Sequence, residues 1–474
     1  MGHEIKFGTD GWRGIIAEDF TFDNVRLCAQ AVAEYLLDHK LAERGFVVGY
    51  DTRFASEDFA AAVAEVVAAN GIKVWLGSKP APTPVISYAI VDKGAAGAVI
   101  VTASHNPGVW NGLKYKPDYA GSASPEVVAE LEGRIGKIGA SDRVKRLQLA
   151  DAINQGVVEY CDQMPAYTRR IAGFVDLERI RQADLRIVVD SMYGSGAGYF
   201  ETLLSGGSIE VTEINAERNP LFPGIQPEPI GKNLQMLCTM VPEMSADVGL
   251  ATDGDADRLG IVDENGQFIT TLQAFALLSL YLLEVRGERG PIVKSVTTTN
   301  MVYSLGELFS VPVFETAVGF KYLGPKMMDE DALIGGEESG GFGFRGHIPE
   351  RDGILAGLYL LDFMVATGKR PSELLAYLYD KVGPHYYDRL DIHFSSERRG
   401  EVVERLKGLK PDRIHDAEVV SVDTVDGFRY KLADGGWLLI RLSGTEPLLR
   451  IYVECNSMDR VRALLAEGRS LAGV

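Results

Sequence analysis

Four cysteines in 474 residues are too few to frame a fold. Cys28, Cys161, Cys238 and Cys455 stand far apart, and none forms a CxxC pair. That excludes a disulfide scaffold or a cysteine zinc site, and the residues read as reduced thiols of a cytoplasmic protein. Long hydrophobic runs are missing as well. None is long enough to span a bilayer, and the N-terminus carries no basic-plus-apolar leader pattern. Positive charge is also short: 48 Lys and Arg face 66 Asp and Glu, for a net charge of −18. The deficit argues against a nucleic-acid or anionic-membrane binder. An anionic substrate would need its cations gathered in one cleft. No GxxxxGK[ST] nucleotide loop is present. Gly194-Ser195-Gly196-Ala197-Gly198 follows a strand as a dinucleotide loop does, but Tyr199 stands where GxGxxG needs glycine.

What is present is a chain of 46% apolar residues, long enough for three or four domains. A helix capped near Thr21 or Asp23 puts Val25, Cys28, Val32 and Leu36 on one face. Phe46-Val47-Val48-Gly49-Tyr50 is a buried strand. A helix from Glu57 to Asn70 ends at Gly71, and Ile72 to Leu76 is the next strand. This βαβ alternation predicts a parallel or mixed sheet with helices on both faces, whose ligands collect at strand carboxyl ends. The pattern recurs twice. Leu185 to Asp190 and Pro291 to Lys294 echo the Phe46 strand. Asp247 to Asp253 and Ala332 to Glu337 echo Val99-Ile100-Val101-Thr102-Ala103-Ser104. Three related α/β units are expected, over 1–150, 151–266 and 267–380, with a β-turn at Asp263-Glu264-Asn265-Gly266 closing a hairpin. From 381 to 474 the alternation and turn spacing predict a fourth, α+β domain.

Four loops can carry chemistry. Ser104 lies just past a strand end, beside His105, in a loop stiffened by Pro107; a plain strand-to-turn corner fits the same residues. Asp253-Gly254-Asp255-Ala256-Asp257-Arg258 places carboxylates at i, i+2 and i+4. Such density of hard oxygen ligands suits Mg²⁺, and Arg258 is placed for a phosphate oxygen. A calcium loop is the rival, since Glu264 stands at the closing place, but Arg258 replaces the required glycine. A solvated acidic turn also fits. Gly335-Gly336-Glu337-Glu338-Ser339-Gly340-Gly341 offers two acids and a hydroxyl suited to the vicinal hydroxyls of a sugar. His347 and Arg351-Asp352 are expected to border the same cleft. Arg441-Leu442-Ser443-Gly444-Thr445-Glu446-Pro447 has the Arg, hydroxyls and turn amides of a phosphate cradle. An ordinary exposed turn remains open for both of the last two.

FGTDGWRG (Phe7–Gly14), TASHNP, DGDADR, GGEESGG and RLSGTEP, in this order and spanning the chain, resemble the α-D-phosphohexomutase superfamily. The resemblance implies three related α/β domains around a central cleft plus a C-terminal α+β domain. It makes Ser104 the phosphoserine, and Asp253, Asp255 and Asp257 the ligands of Mg²⁺, joined by the Ser104 phosphate. It assigns Arg13, His105, Lys114 and Arg258 to the reacting centre, with Lys114 assisting proton transfer. Glu337 and Ser339 would read sugar hydroxyls. Arg441, Ser443, Gly444 and Thr445 would bind the non-reacting phosphate, and Lys294 joins the substrate-binding set. Thr316-Ala317-Val318-Gly319-Phe320-Lys321 lacks the His that some relatives carry after the Gly, and Lys321 is the expected substitute. The implied activity is a phosphoglucomutase/phosphomannomutase working on a small-molecule sugar phosphate, with hexose 1,6-bisphosphate as intermediate and activator, in a monomer or homodimer. Glu338 points to glucose or mannose, because glucosamine relatives often carry Gln there. A phosphoglucosamine mutase is the alternative, and outside the family a Mg²⁺-dependent sugar phosphatase or a phosphosugar sensor.

Overall fold

Val47-Val48, Val99-Ile100-Val101 and Ile187-Val188-Val189 are β-branched runs, and each lies fully buried within an interior strand. The computed structural model describes residues 5–8, 10–139, 143–394, 398–442 and 448–474. The first sheet has six strands in the order Trp12–Ile15, Trp110–Pro117, Gly97–Val101, Phe46–Tyr50, Val74–Gly77 and Val158–Cys161. Alternate residues of its central strands feed two cores. Val47, Ala98 and Ile100 pack with Val85 and Ile86 of the helix Thr83–Lys93. Val48, Val99 and Val101 pack with the helices Phe22–Asp38 and Ser56–Ala69. Helices therefore cover both faces. The first of these helices buries Val25, Cys28, Val32 and Leu36 as its spacing requires, and the Thr21 hydroxyl caps it by accepting from the Asn24 amide.

The second sheet runs Phe268–Ile269, Leu259–Asp263, Val248–Thr252, Arg186–Asp190, Glu210–Ile214. The third runs Val313–Thr316, Ile292–Ser295, Ile334–Gly336, Phe342–Phe344. One plan governs all three. Phe46–Tyr50, Arg186–Asp190 and Ile292–Ser295 each pair in parallel with two neighbours. One of those neighbours then turns back into an antiparallel hairpin. The three hairpin loops hold Ser104, Asp253–Arg258 and Glu337–Gly341. The repetition read from the sequence is thus a repetition of topology, and it brings three loops to equivalent strand ends.

The unit edges differ from the expected ones at two short strands. Val158–Cys161 joins the first sheet, eight residues past the boundary drawn at 150, and Phe268–Ile269 closes the second sheet just past 266. Both are short edge strands, with too little apolar sequence to declare which sheet they join. One continuous core, including Ile86, Phe200, Phe275 and Leu358, runs through the first three units. The fourth is, among the described residues, a separate antiparallel six-stranded sheet with two helices, Arg399–Gly408 and Met458–Ala472, over its own core. It docks on the third through Val296, Trp437, Leu439 and Tyr452. All four cysteines are free. Among the described residues no helix is long and apolar enough to cross a membrane.

Candidate active site

Ser104 follows the strand Gly97–Val101 with a left-handed backbone, φ 51°, and is nearly enclosed. Its Oγ donates to Asp253 Oδ2 at 2.8 Å and lies 3.3 Å from His105 Nδ1. Gly254 allows this approach: a Cβ there would stand 2.4 Å from the Ser104 carbonyl oxygen. Ser195 donates its amide to the Gly254 carbonyl at 3.0 Å. The glycine-rich segment at 194–198 thus supports the acidic loop.

Asp253, Asp255 and Asp257 are wholly buried, with one oxygen of each within 4.8 Å of the others. Asp253 Oδ1 accepts the amides of Asp257 and Arg258, at 3.0 and 3.2 Å. Asp255 Oδ2 takes Thr83 Oγ1 at 2.5 Å and Lys114 Nζ at 2.7 Å. Asp257 Oδ2 takes Arg351 at 2.9 Å. Asp255 Oδ1 and Asp257 Oδ1 are enclosed with no hydrogen-bond partner among the described residues. Buried carboxylate oxygens left bare are costly. Burial, then Asp257 and Asp255, pushes the Asp253 carboxyl well above its ordinary range. Two bare oxygens and an acid that resists ionisation beside a hydroxyl fit a hard divalent cation, which would relieve all three. Glu264 takes no part. Its carboxylate reaches Ser372, and a strand rather than a loop precedes it, so the calcium-loop rival fails.

Cations surround these acids. Burial opposes the charge of Lys114, but Asp10, Asp255 and Asp257 outweigh it and hold the ammonium firmly protonated, with Asp10 at 2.8 Å. Lys116, two residues along the strand Trp110–Pro117 and on the same face, pairs with Asp10 at 2.9 Å and with Glu350. Arg351 joins four acids: Asp10, Asp257, Glu350 at 3.2 Å and Glu337 at 3.5 Å. Arg13 Nη1 donates to Asn106 Oδ1 at 2.6 Å. Arg258 lies 3.9 Å from Asp253 and from Asp257. Burial, with Arg258, Arg13, Arg53 and Lys114 in support, keeps His105 well below the usual imidazole range, so its ring is neutral.

The sugar-loop candidate is stitched to the acidic loop. Leu259 donates to the Gly340 carbonyl at 2.9 Å, and Arg258 bridges Gly341. Glu337 is buried, accepting the Gly319 amide at 2.9 Å, and Ser339 is half-buried beside it. Glu338 turns away to the fourth domain, accepting from Tyr387 Oη at 2.8 Å and Arg389 at 2.9 Å. Gly341 leaves room for Arg351, whose Cδ would meet an added Cβ at 2.2 Å. Arg351 also lies over the Phe320 ring, 5.3 Å from its centre.

The sequence-derived set is therefore brought together at Ser104, His105, Arg13, Lys114, Arg258, the three aspartates and Glu337. The other expected residues have partners of their own or lie outside the described residues. Lys321 Nζ is 3.4 Å from the Gly8 carbonyl, and the cation over Phe320 is Arg351. Lys294 is fully buried, 3.6 Å from Glu315 and 4.7 Å from the Tyr303 ring centre. Its burial drops its value to about 8. Asp352 caps the helix Gly353–Thr367 and binds Tyr167 Oη and His347 Nε2, so both residues are structural. Arg441 pairs with Asp426 at 2.9 Å, and Asp426 accepts the Val318 amide at 3.0 Å. Ser443, Gly444 and Thr445 lie outside the described residues. Sequence reasoning passed over Asp10, Lys116, Glu350 and Arg53. The i, i+2 spacing of Lys114 and Lys116 on one strand was the available signal for one of them.

Four family models match in chain order. Phosphoglucomutase/phosphomannomutase alpha/beta/alpha domain I covers residues 4–142, domain II 165–266, domain III 272–382 and the C-terminal domain 397–470. A Thermococcus kodakarensis phosphoglucomutase/phosphomannomutase is 31% identical over 467 residues, 98% of each chain. A Methanopyrus kandleri protein assigned as a phosphoglucosamine mutase is 32% identical, over 97% of this chain and 96% of the relative. A solved structure of a Thermus thermophilus protein assigned as a phosphomannomutase superposes with a TM-score of 0.87 at 36% identity, over 100% of both chains.

Proposed function

The chain belongs to the phosphoglucomutase/phosphomannomutase family of the α-D-phosphohexomutase superfamily, and on that premise we propose that it interconverts the 1- and 6-phosphates of glucose and mannose through phospho-Ser104. The observation that carries the reading is Ser104 Oγ, 2.8 Å from a buried aspartate whose two companions each keep a bare oxygen. In the first transfer the P–Oγ bond of phospho-Ser104 breaks and a bond from phosphorus to a sugar hydroxyl forms. The hydroxyl proton ends on Ser104 Oγ, and the product is a hexose 1,6-bisphosphate. After that sugar reverses in the cleft, its other phosphate returns to Ser104 in the mirror step. Serine is a weak nucleophile, so such a transfer depends on alignment and charge neutralisation. Mg²⁺ held by Asp253, Asp255 and Asp257, with the Ser104 phosphate as a further ligand, would supply part of that neutralisation. Lys114, Arg258 and Arg13 supply fixed positive charge at the same atoms. Lys114 is held as a donor by three carboxylates. Glu337 and Ser339 would take the sugar hydroxyls, and Arg441 the distal phosphate.

A second reading, phosphoglucosamine turnover, is favoured by a relative of that assignment at nearly the same identity. It gains from the position of Glu338, whose carboxylate is held by Tyr387 and Arg389 and so does not argue for a hexose by contact. A coupled assay with Mg²⁺ and a trace of glucose 1,6-bisphosphate tests both. Glucose 1-phosphate, mannose 1-phosphate and glucosamine 1-phosphate run side by side, against Ser104→Ala. Turnover of the hexoses, lost in Ser104→Ala, is expected. Faster turnover of the amino sugar than of both hexoses would replace the first reading by the second. Steady release of inorganic phosphate instead would make the protein a phosphatase.

A further inference from the structure

Arg53 stands at the end of the strand Phe46–Tyr50, and its side chain is fully enclosed. A guanidinium has five N–H donors in a fixed planar fork. All five are used. Nε donates to Asp51 Oδ2 at 3.1 Å. Nη1 donates to the carbonyls of Pro107 and Trp110, both at 3.0 Å. Nη2 donates to the carbonyls of Ser104 and Asn106, the latter at 2.7 Å. Four of the five acceptors are thus backbone oxygens of the loop that carries Ser104 and of Trp110, which opens the next strand. That loop is strained, because a serine at φ 51° holds a conformation that L-residues disfavour. Such a turn persists only when its surroundings over-determine it. Asp51 completes the frame: its oxygens also accept from Thr102 Oγ1 at 2.6 Å and Ser56 Oγ at 3.0 Å, and Thr102 Oγ1 accepts the Ser104 amide at 2.9 Å. From the second domain, the Phe222 ring lies 4.9 Å from the guanidinium carbon.

We propose that Arg53 is the positioning residue of the Ser104 loop: by binding the carbonyls of residues 104, 106, 107 and 110 it sets Ser104 Oγ at the acidic loop. It touches no reacting atom. Lysine keeps the charge but cannot span four carbonyls and a carboxylate, so Arg53→Lys separates geometry from charge. The functional half of the proposal rests on Ser104 as the phosphoryl carrier; the structural half does not.

The experiment measures two quantities on Arg53→Lys and on the unaltered full-length protein, with thermal midpoints as the folding control. Hydrogen exchange of the amides from 104 to 110 is expected to rise at least ~10-fold while distant segments keep their rates. Mutase kcat is expected to fall roughly 100-fold with KM little changed, the signature of misplacement rather than lost binding. Exchange at the unaltered level, or kcat within about threefold, overturns the proposal. If Arg53→Lys does not fold, Asp51→Asn takes its place. It removes the carboxylate that Arg53 Nε grips, and the same two changes are expected in the same direction. If the unaltered protein neither turns over nor carries phosphate on Ser104, the carrier reading falls, and the positioning claim stands or falls on the exchange result alone.

Discussion

Glu315 fastens the fourth domain to the third, and its removal has a calculable cost. Its carboxylate receives Arg429 through two nitrogens, Nη2 at 2.7 Å, and lies 3.6 Å from Lys294. Burial raises the carboxyl, but Arg429 and Lys294 outweigh it and bring it from 4.5 to about 2. That lowering corresponds to about 3 kcal/mol of stabilisation at neutral pH. The side chain is 19% exposed, so solvent screening removes little of it. Because the folded value lies below the unfolded one, the stabilisation is complete above pH 4.5 and fades as pH falls toward 2. Glu315→Gln keeps the shape and removes the charge. Urea unfolding at pH 7 is expected to place it about 3 kcal/mol below the unaltered protein, with that gap closing between pH 4.5 and 2. A gap under about 1 kcal/mol at pH 7, or one that stays constant down to pH 2.5, would refute the assignment.

Three further outcomes are expected. Asp257→Asn should weaken divalent-ion binding at least ~10-fold by calorimetry, since it removes one bare oxygen's charge, and chelation should abolish turnover reversibly. Gly341→Ala places a Cβ where Arg351 runs, so it should lower stability by about 1–3 kcal/mol in chemical denaturation and reduce turnover as Arg351 shifts. Asp10→Asn leaves Lys114, Lys116 and Arg351 short of one carboxylate, so inorganic phosphate should inhibit more strongly, at least ~3-fold, in competition with sugar phosphate. Unchanged or weaker phosphate inhibition would remove Asp10 from the charge balance of the site.

The fold was legible because its signals are local. Strand-forming runs at Phe46, Val99 and Leu185 ended in small-residue loops, and the repeated order of those loops is the repeated hairpin of the three sheets. The acidic loop was legible for the same reason, since three aspartates at alternate positions declare their chemistry without tertiary context. What escaped depends on partners far along the chain. Arg53 reads as one more polar residue after a strand until its fork meets carbonyls some fifty residues away. Lys294 looks like a substrate cation at a strand end, yet its strand turns it inward toward Glu315 and Tyr303. Glu338 sits between two candidate sugar contacts, but consecutive residues of so tight a loop point in different directions, and its direction is toward Arg389. The short edge strands at Val158 and Phe268 extend their sheets past the expected edges, and two to four residues carry no period from which to read them.

On the proposed reading a chain of net charge −18 must bind a dianion by local arrangement, and the pairing of its buried cations is consistent with that. Lys114, Lys116 and Arg351 are each already held by carboxylates, with Asp10 shared among all three. The site is therefore close to electrically balanced before any anion enters, which spares it the cost of buried, unpaired cations. On the proposed reading, a phosphoryl group competes with Asp10 and Asp257 for donors that are preorganised and desolvated. A cation at the three aspartates would draw Asp255 and Asp257 toward it and release Lys114 and Arg351 from part of their pairing. Metal and phosphate binding would then favour one another, because each satisfies the charges that the other frees. The same coupling predicts discrimination without a dedicated contact: a neutral sugar offers nothing to the released cations, so it leaves the aspartate–lysine pairs closed and gains only the hydroxyl contacts of Glu337 and Ser339.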